Sequence, residues 1–187
     1  MRVKKLPNIL SRSEAEPGGW MRREQLDLEF SNGQRRTYTR LLTHGLGSVI
    51  IVPMRDADTV LLVREYACGL HHYELGLPKG RIERGERALE AANRELKEEI
   101  GHGARKLREI NAFSLAPGYM THVTHIILAQ DLYEERLEGD EPEALDIVPW
   151  PMTDLRLLAE RPDCTEGRTI AALYFARDYL EENPSHA

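Results

Sequence analysis

Glu95, Glu98 and Glu99 are the residues of this chain whose type and spacing best suit chemistry. On a helix, positions i, i+3 and i+4 fall within about 100° of arc, so the three carboxylates share one face. Such a face suits a hard divalent cation. Mg²⁺ takes oxygen ligands, keeps part of its water shell and shares that shell with substrate phosphates. The implied chemistry is a metal-assisted reaction on a phosphate compound. The ordinary use of an acidic helical run is a solvated surface, because glutamate is a good helix former. Glu83 with Arg87, and Glu90 with Arg94, fit that use as i, i+4 pairs with the acid first. Glu95 departs from it, with Ala91 one turn before and Glu98 and Glu99 just after. Like charges at these spacings cost about 0.2–0.5 kcal/mol each, which a bound cation would offset. Ala88 and Ala91 are small and leave room beside this face.

These glutamates lie in Gly80–His102, GRIERGERALEAANRELKEEIGH. Gly80, Glu86, Arg94, Glu95, Leu96, Glu98, Glu99 and Gly101 fit the pattern G-x5-E-x7-R-E-U-x-E-E-x-G-U, where U is bulky and apolar. His102 stands where the last U is expected. The segment resembles the box of the Nudix hydrolase family. That resemblance implies a loop-helix-loop in which Glu95, Glu98, Glu99 and the Gly80 carbonyl hold Mg²⁺ or Mn²⁺. It also implies that Glu86 and Arg94 fasten the loop to the helix. The fold implied is α/β (α+β), a mixed β-sheet sandwiched between α-helices. Pro117, in Leu115-Ala116-Pro117-Gly118, stands at the distance from the box that marks hydrolases of ADP-ribose and related ADP compounds within the family. The segments at 26–33, 65–69 and 137–143 are similar to the same group. Ala67 follows Tyr66 where arginine is frequent in ADP-ribose enzymes, which favours a broader range of ADP compounds.

The activity this implies is hydrolysis of the pyrophosphate bond of ADP-linked compounds such as ADP-ribose, NADH or diadenosine polyphosphates, with release of AMP. Two alternatives stay open: another Nudix class, acting on sugar nucleotides or nucleoside triphosphates, and a non-catalytic nucleotide-binding regulator. Catalysis would rest on Glu95, Glu98 and Glu99. A general base would come from the acidic loop at 138–143, with Glu141 preferred to Glu143. Arg40 and Arg64 are candidate diphosphate contacts. Glu65 and Glu74 could touch ribose, water or metal, and Pro117 would border the substrate. Phe30 or Tyr38 could stack on adenine, although packing is the commoner use of either. His71 and His72 are adjacent and Mg²⁺ prefers oxygen, so they are not expected to be ligands.

The elements that must position these residues can be read from periodicity. Gln25–Phe30 and Arg36–Leu41 alternate around Ser31-Asn32-Gly33-Gln34, a hairpin signal. A lone hairpin is marginal in water, so it should pack on the main domain or a second subunit. Residues 1–45 thus read as an arm and 46–187 as the hydrolase domain. Related enzymes use such an arm to dimerise, so a homodimer is expected. Val49–Pro53 and Val60–Val63 are continuous apolar runs that read as buried strands. Leu89, Ala92, Leu96 and Ile100 should fix the box helix to the sheet, and Gly101 and Gly103 should stop it. Strands are expected near Ile110–Phe113, Thr124–Ala129 and Asp146–Trp150, and helices over Asp154–Ala159 and Glu166–Tyr179.

Composition excludes several classes. A length of 187 residues with 41% apolar content suits one domain with an arm. A net charge of −6 without a basic run argues against nucleic acid as a partner. There is no apolar stretch near 18 residues, so no membrane partner is expected. The start, MRVKKLPNILSRSEAE, lacks the apolar core of a signal peptide. Cys68 and Cys164 have no metal-ligand spacing and read as ordinary thiols of a reducing cytoplasm.

Overall fold

The strand at Ser48–Pro53 is buried along its whole length because it faces two cores at once. Its side chains alternate, with Ile50 and Val52 entering one apolar cluster and Val49 and Ile51 the other. The strands at Thr59–Ala67 and Val123–Glu134 divide in the same way. The computed structural model describes residues 6–10, 21–43 and 45–183. The basic start of the chain and residues 11–20 of the expected arm lie outside the described residues.

In chain order the elements are β1 (Met21–Glu29), β2 (Arg35–Thr43), β3 (Ser48–Pro53), β4 (Thr59–Ala67), β5 (His72–Gly76) and β6 (Lys79–Arg81). There follow α1 (Ala88–Glu99), β7 (His102–Ser114), β8 (Val123–Glu134), β9 (Asp146–Pro151), a 3₁₀ turn at Met152–Asp154, α2 (Leu155–Ala159) and α3 (Gly167–Glu182). Besides the β1–β2 hairpin, the strands among the described residues form two sheets, where one mixed sheet was expected. One is mixed, in the order β6-β3-β8-β7, with β3 and β8 parallel. The other is antiparallel, in the order β5-β4-β9. Ala91, Ala92, Leu96 and Ile100 of the box segment belong to one core, while Leu155, Leu158, Ala172, Leu173 and Ala176 from α2 and α3 belong to the other. The sheets therefore lie between helices.

Several expected details change. Leu89 is exposed, because the buried stripe of α1 runs through Ala91, Ala92, Leu96 and Glu99. Ala91 is packed in the core and does not open space beside the glutamates. Gly101, at φ 70°, ends the box segment, whereas Gly103 already lies in β7. β7 begins at His102 and runs well before the expected Ile110, with a register shift between Glu109 and Asn111. Its exposed Arg105, Lys106 and Arg108 hide the alternation of a strand.

The hairpin β1–β2 pairs Leu26 with Tyr38 and Leu28 with Arg36. Leu28, Phe30 and Tyr38 are exposed. The base of the hairpin joins the loop after β7: Leu41 N–H donates to the Tyr119 carbonyl at 2.7 Å, and Thr121 N–H donates to the Leu41 carbonyl at 3.1 Å. No helix among the described residues is long and apolar enough to cross a membrane.

Candidate active site

Two short elements meet where the glutamates gather. β6 is an edge strand, with Gly80 opposite Val49 of β3. α1 crosses it so closely that a Cβ on Gly80 would lie 1.9 Å from the Glu95 carboxylate carbon. A side chain at position 80 would therefore push the Glu95 carboxylate out of its place. Arg94 builds the loop between β6 and α1. Its Nε donates to Glu86 Oε1 at 3.0 Å and its Nη2 to the Arg81 carbonyl at 3.0 Å. The Glu86 carboxylate also accepts the Glu83 N–H at 3.0 Å. The expected i, i+4 partners are therefore exchanged. Arg87 pairs with Glu90 instead of Glu83, and Arg94 pairs with Glu86, Glu95 and Glu98. Glu83 and Glu86 precede the first helical turn, so helical spacing does not govern them.

Glu95 is consequently not surrounded by like charges alone. Arg94 Nη1 bridges Glu95 Oε1 at 2.7 Å and Glu98 Oε2 at 2.9 Å. Even so, burial pushes the Glu95 carboxyl up to about 7. Arg94 opposes that shift, while Glu98 and Asp140 add to it. Glu99 is only 9% exposed. Burial holds its carboxyl well above the usual carboxylate range, against the attraction of Lys79 and with the repulsion of Glu95 and Glu65. Glu99 Oε1 accepts the Lys79 N–H at 3.3 Å. Its Oε2 is buried without a hydrogen-bond partner.

A buried acidic oxygen without a donor is costly, and a cation relieves the cost. The donor set is hard oxygen, as a divalent ion of the Mg²⁺ kind requires. Glu95, Glu98 and Glu99 thus fit such an ion in donor type and position, with the unmet buried charge on Glu99 and the other two carboxylates held by Arg94. As the side chains stand, no three His, Cys, Asp or Glu residues among those described converge on one point. The Arg94 guanidinium bridges Glu95 and Glu98, so an ion held by these residues would compete with its contacts.

These groups line a cavity of about 1330 Å³. Its walls come from β6 and the following loop, from Arg94, Glu95, Glu98 and Glu99, from Gly45 and Leu46, and from the loop Glu138–Glu141. Glu141 therefore reaches the cavity. Glu143 accepts a hydrogen bond from the Tyr73 hydroxyl and holds that phenol up at about 12. Glu65 stands close by, paired with the Lys79 ammonium.

The other expected substrate contacts lie elsewhere. Arg64 is bound to Asp163 at 2.8 Å, and Arg40 to Glu24 at 2.7 Å. Glu74 receives Thr165 N–H and Thr165 Oγ1, both at 2.9 Å, and pins the segment before α3. Pro117 opens the turn that meets β2 and does not border the cavity. His72 pairs with Glu74, and His71 Nδ1 shares a hydrogen bond with Tyr66 at 2.6 Å. Lys79, Arg81 and Arg84 were not expected from the sequence, yet all three line the cavity, as does Asp140 of the expected acidic loop. Arg81 and Arg84 occupy variable positions of the box, so spacing alone could not mark them.

A NUDIX domain model matches residues 46–171. The chain belongs to the Nudix family. A model of the NudE-type Nudix hydrolase N-terminal domain matches residues 7–40 of this Nudix protein. It is 50% identical over 158 residues to the ADP compounds hydrolase NudE of Escherichia coli (strain K12), covering 84% of each chain. It is 30% identical over 151 residues to the ADP-ribose pyrophosphatase of Bacillus subtilis (strain 168), covering 80% of each. A crystal structure of an ADP compounds hydrolase superposes with a TM-score of 0.81 at 44% identity, covering 97% of this chain and 98% of that one. Nudix hydrolases generally use divalent metal ions, and the buried Glu99 carboxylate beside Glu95 and Glu98 suits that use.

Proposed function

We propose that this Nudix hydrolase cleaves the pyrophosphate bond of ADP-linked compounds and releases AMP, with ADP-ribose, NADH and diadenosine polyphosphates as substrates. The observation that carries the reading is the buried, partly unsatisfied Glu99 carboxylate beside Glu95 and Glu98 on α1, in a chain half identical to an ADP compounds hydrolase.

Glu95, Glu98, Glu99 and the Gly80 carbonyl would hold Mg²⁺, with Mn²⁺ as a substitute. When bound, the ion neutralises phosphate oxygens and lowers the pKa of a coordinated water. The chain's own residues do the rest. α1 fixes the carboxylates on a rigid element, and the Arg94–Glu86 tie keeps the loop registered against them. Lys79 donates its N–H to Glu99 and orients that carboxyl. Glu141 is the preferred proton acceptor for the attacking water, because it lines the cavity while Glu143 is engaged by Tyr73. The three glutamates favour an enzyme over a nucleotide-binding regulator.

The arm is assigned to residues 1–45 and the hydrolase domain to 46–187. Leu26 and Tyr38 are opposite one another on β1–β2, and Phe30 packs near Tyr38, with ring centroids 6.3 Å apart. The exposure of Leu28, Phe30 and Tyr38 supports a homodimer formed through the arm. The free thiols Cys68 and Cys164 support a reducing, cytoplasmic setting. Chromatography of products from ADP-ribose, NADH, a sugar nucleotide and a nucleoside triphosphate tests the activity. AMP from the first two, at rates well above turnover of the others, is the expected result. Preferred turnover of the sugar nucleotide or the triphosphate overturns the substrate class.

A further inference from the structure

The cavity holds seven acidic side chains, Glu83, Glu95, Glu98, Glu99, Glu138, Asp140 and Glu141, against four basic ones, Lys79, Arg81, Arg84 and Arg94. An anionic substrate entering it needs cations that are not already committed. Lys79 is paired with Glu65, and Arg94 with Glu86, Glu95 and Glu98. Arg81 and Arg84 are different. Among the described residues neither guanidinium makes a hydrogen bond or an ion pair, although seven carboxylates share the same walls. Both side chains are exposed.

Their backbone is nevertheless fixed. Arg81 is the last residue of β6, opposite Ser48, and its carbonyl accepts from Arg94. Arg84 follows Glu83, whose N–H is held by Glu86. A held backbone carrying unpaired guanidinium groups at a cavity wall is suited to an incoming anion. The N-terminus of α1 is poorly suited to replace them. Glu90 in its first turn accepts the Arg87 N–H at 3.0 Å and adds negative charge there. Arg40 and Arg64 are already paired outside the cavity.

We propose that Arg81 and Arg84 form the phosphate clamp of this cavity and set its preference among ADP-linked compounds by the number of phosphates these carry. The inference rests on the reading of the cavity as a diphosphate site and adds a specificity determinant to it. A guanidinium binds phosphate bidentately, and each further phosphate brings charge within reach. The clamp acts on binding, so its removal falls on KM.

The test compares Arg81→Gln, Arg84→Gln and the double variant with the parent protein. Lys106→Gln/Arg108→Gln is the control, since it removes two exposed charges from β7 outside the cavity. KM is measured for ADP-ribose and for diadenosine tetraphosphate, and the affinity for α,β-methylene-ADP is measured by calorimetry in chelator. Each single variant should raise KM and Kd by roughly tenfold, the value of a charge-assisted hydrogen bond at an accessible site. The increase should be larger for the tetraphosphate, and the salt dependence of KM should flatten in the double variant. Values within about twofold of the parent, or an equal change in the β7 control, overturn the clamp. A parent protein inert towards both nucleotides refutes the proposed activity instead, and the calorimetric arm then still decides the clamp.

Discussion

Substituting Glu95 by glutamine exposes the cost of keeping an acidic cluster buried. The folded-state carboxyl of Glu95 lies at about 7, against an ordinary value of 4.5, mainly because of burial. Below the ordinary value, folded and unfolded chains both hold the proton, and the group does not affect stability. Between the two values the unfolded chain releases the proton first, so stability falls as pH rises. Above the raised value the whole cost is present, on the order of 3 kcal/mol. Glutamine cannot ionise and escapes it. In chelator, Glu95→Gln should therefore unfold at nearly the parent's temperature at about pH 5 and well above it at about pH 8. For a chain of this size 1 kcal/mol moves Tm by roughly 2–4 °C, so the gap should reach roughly 6–12 °C. The assay is thermal unfolding of both proteins at the two pH values. Millimolar Mg²⁺ should then raise the parent's Tm more than the variant's. A pH-independent difference between the two proteins would refute the reasoning, because it would mean that the buried carboxyl carries no unmet charge.

Gly80→Ala should fold, since the displaced group is the end of a flexible side chain, but it drives the Glu95 carboxylate back by about 1.5 Å and should lower kcat by roughly 100-fold. Steady-state kinetics alongside circular dichroism checks both halves. Tyr73→Phe removes the bond that ties Glu143, and with it the loop bearing Glu141, to β5. Its kcat should fall by roughly threefold to tenfold with a shifted pH–rate profile, whereas Glu143→Gln, keeping an acceptor, should lose less. Arg64→Ala breaks the bond to Asp163 and should cost about 1 kcal/mol in urea unfolding while the KM for ADP-ribose stays at the parent value.

The apolar runs of β3 and β4 announced themselves because strands buried on both faces leave no polar alternation. The box helix was legible because the spacing of Glu95, Glu98 and Glu99 survives in any helix. What failed to show was whatever depends on a partner distant in sequence. Arg64 finds Asp163 ninety-nine residues away, Glu74 finds Thr165 ninety-one away, and Tyr73 finds Glu143 seventy away. No local period encodes such pairs, so the sequence does not show that Arg64 and Glu74 make these long-range bonds. β6 escaped notice for a different reason. Three residues cannot display a period, and this strand exists because β3 offers it an edge. Arg94 shows the same limit at close range: adjacent residues on a helix do not face one another, yet its long side chain turns back to Glu95 as well as across to Glu98.

The most direct test of the account is divalent-ion binding by the carboxylates of α1 themselves. Mn²⁺ titrated into the parent protein and into Glu99→Gln, followed by electron paramagnetic resonance of the free ion, reads occupancy without requiring turnover. The account predicts saturable binding by the parent, a loss of at least roughly tenfold in affinity in the variant, and a kcat for ADP-ribose lower by several orders of magnitude. Equal Mn²⁺ affinity in the two proteins, with kcat preserved in Glu99→Gln, would contradict it.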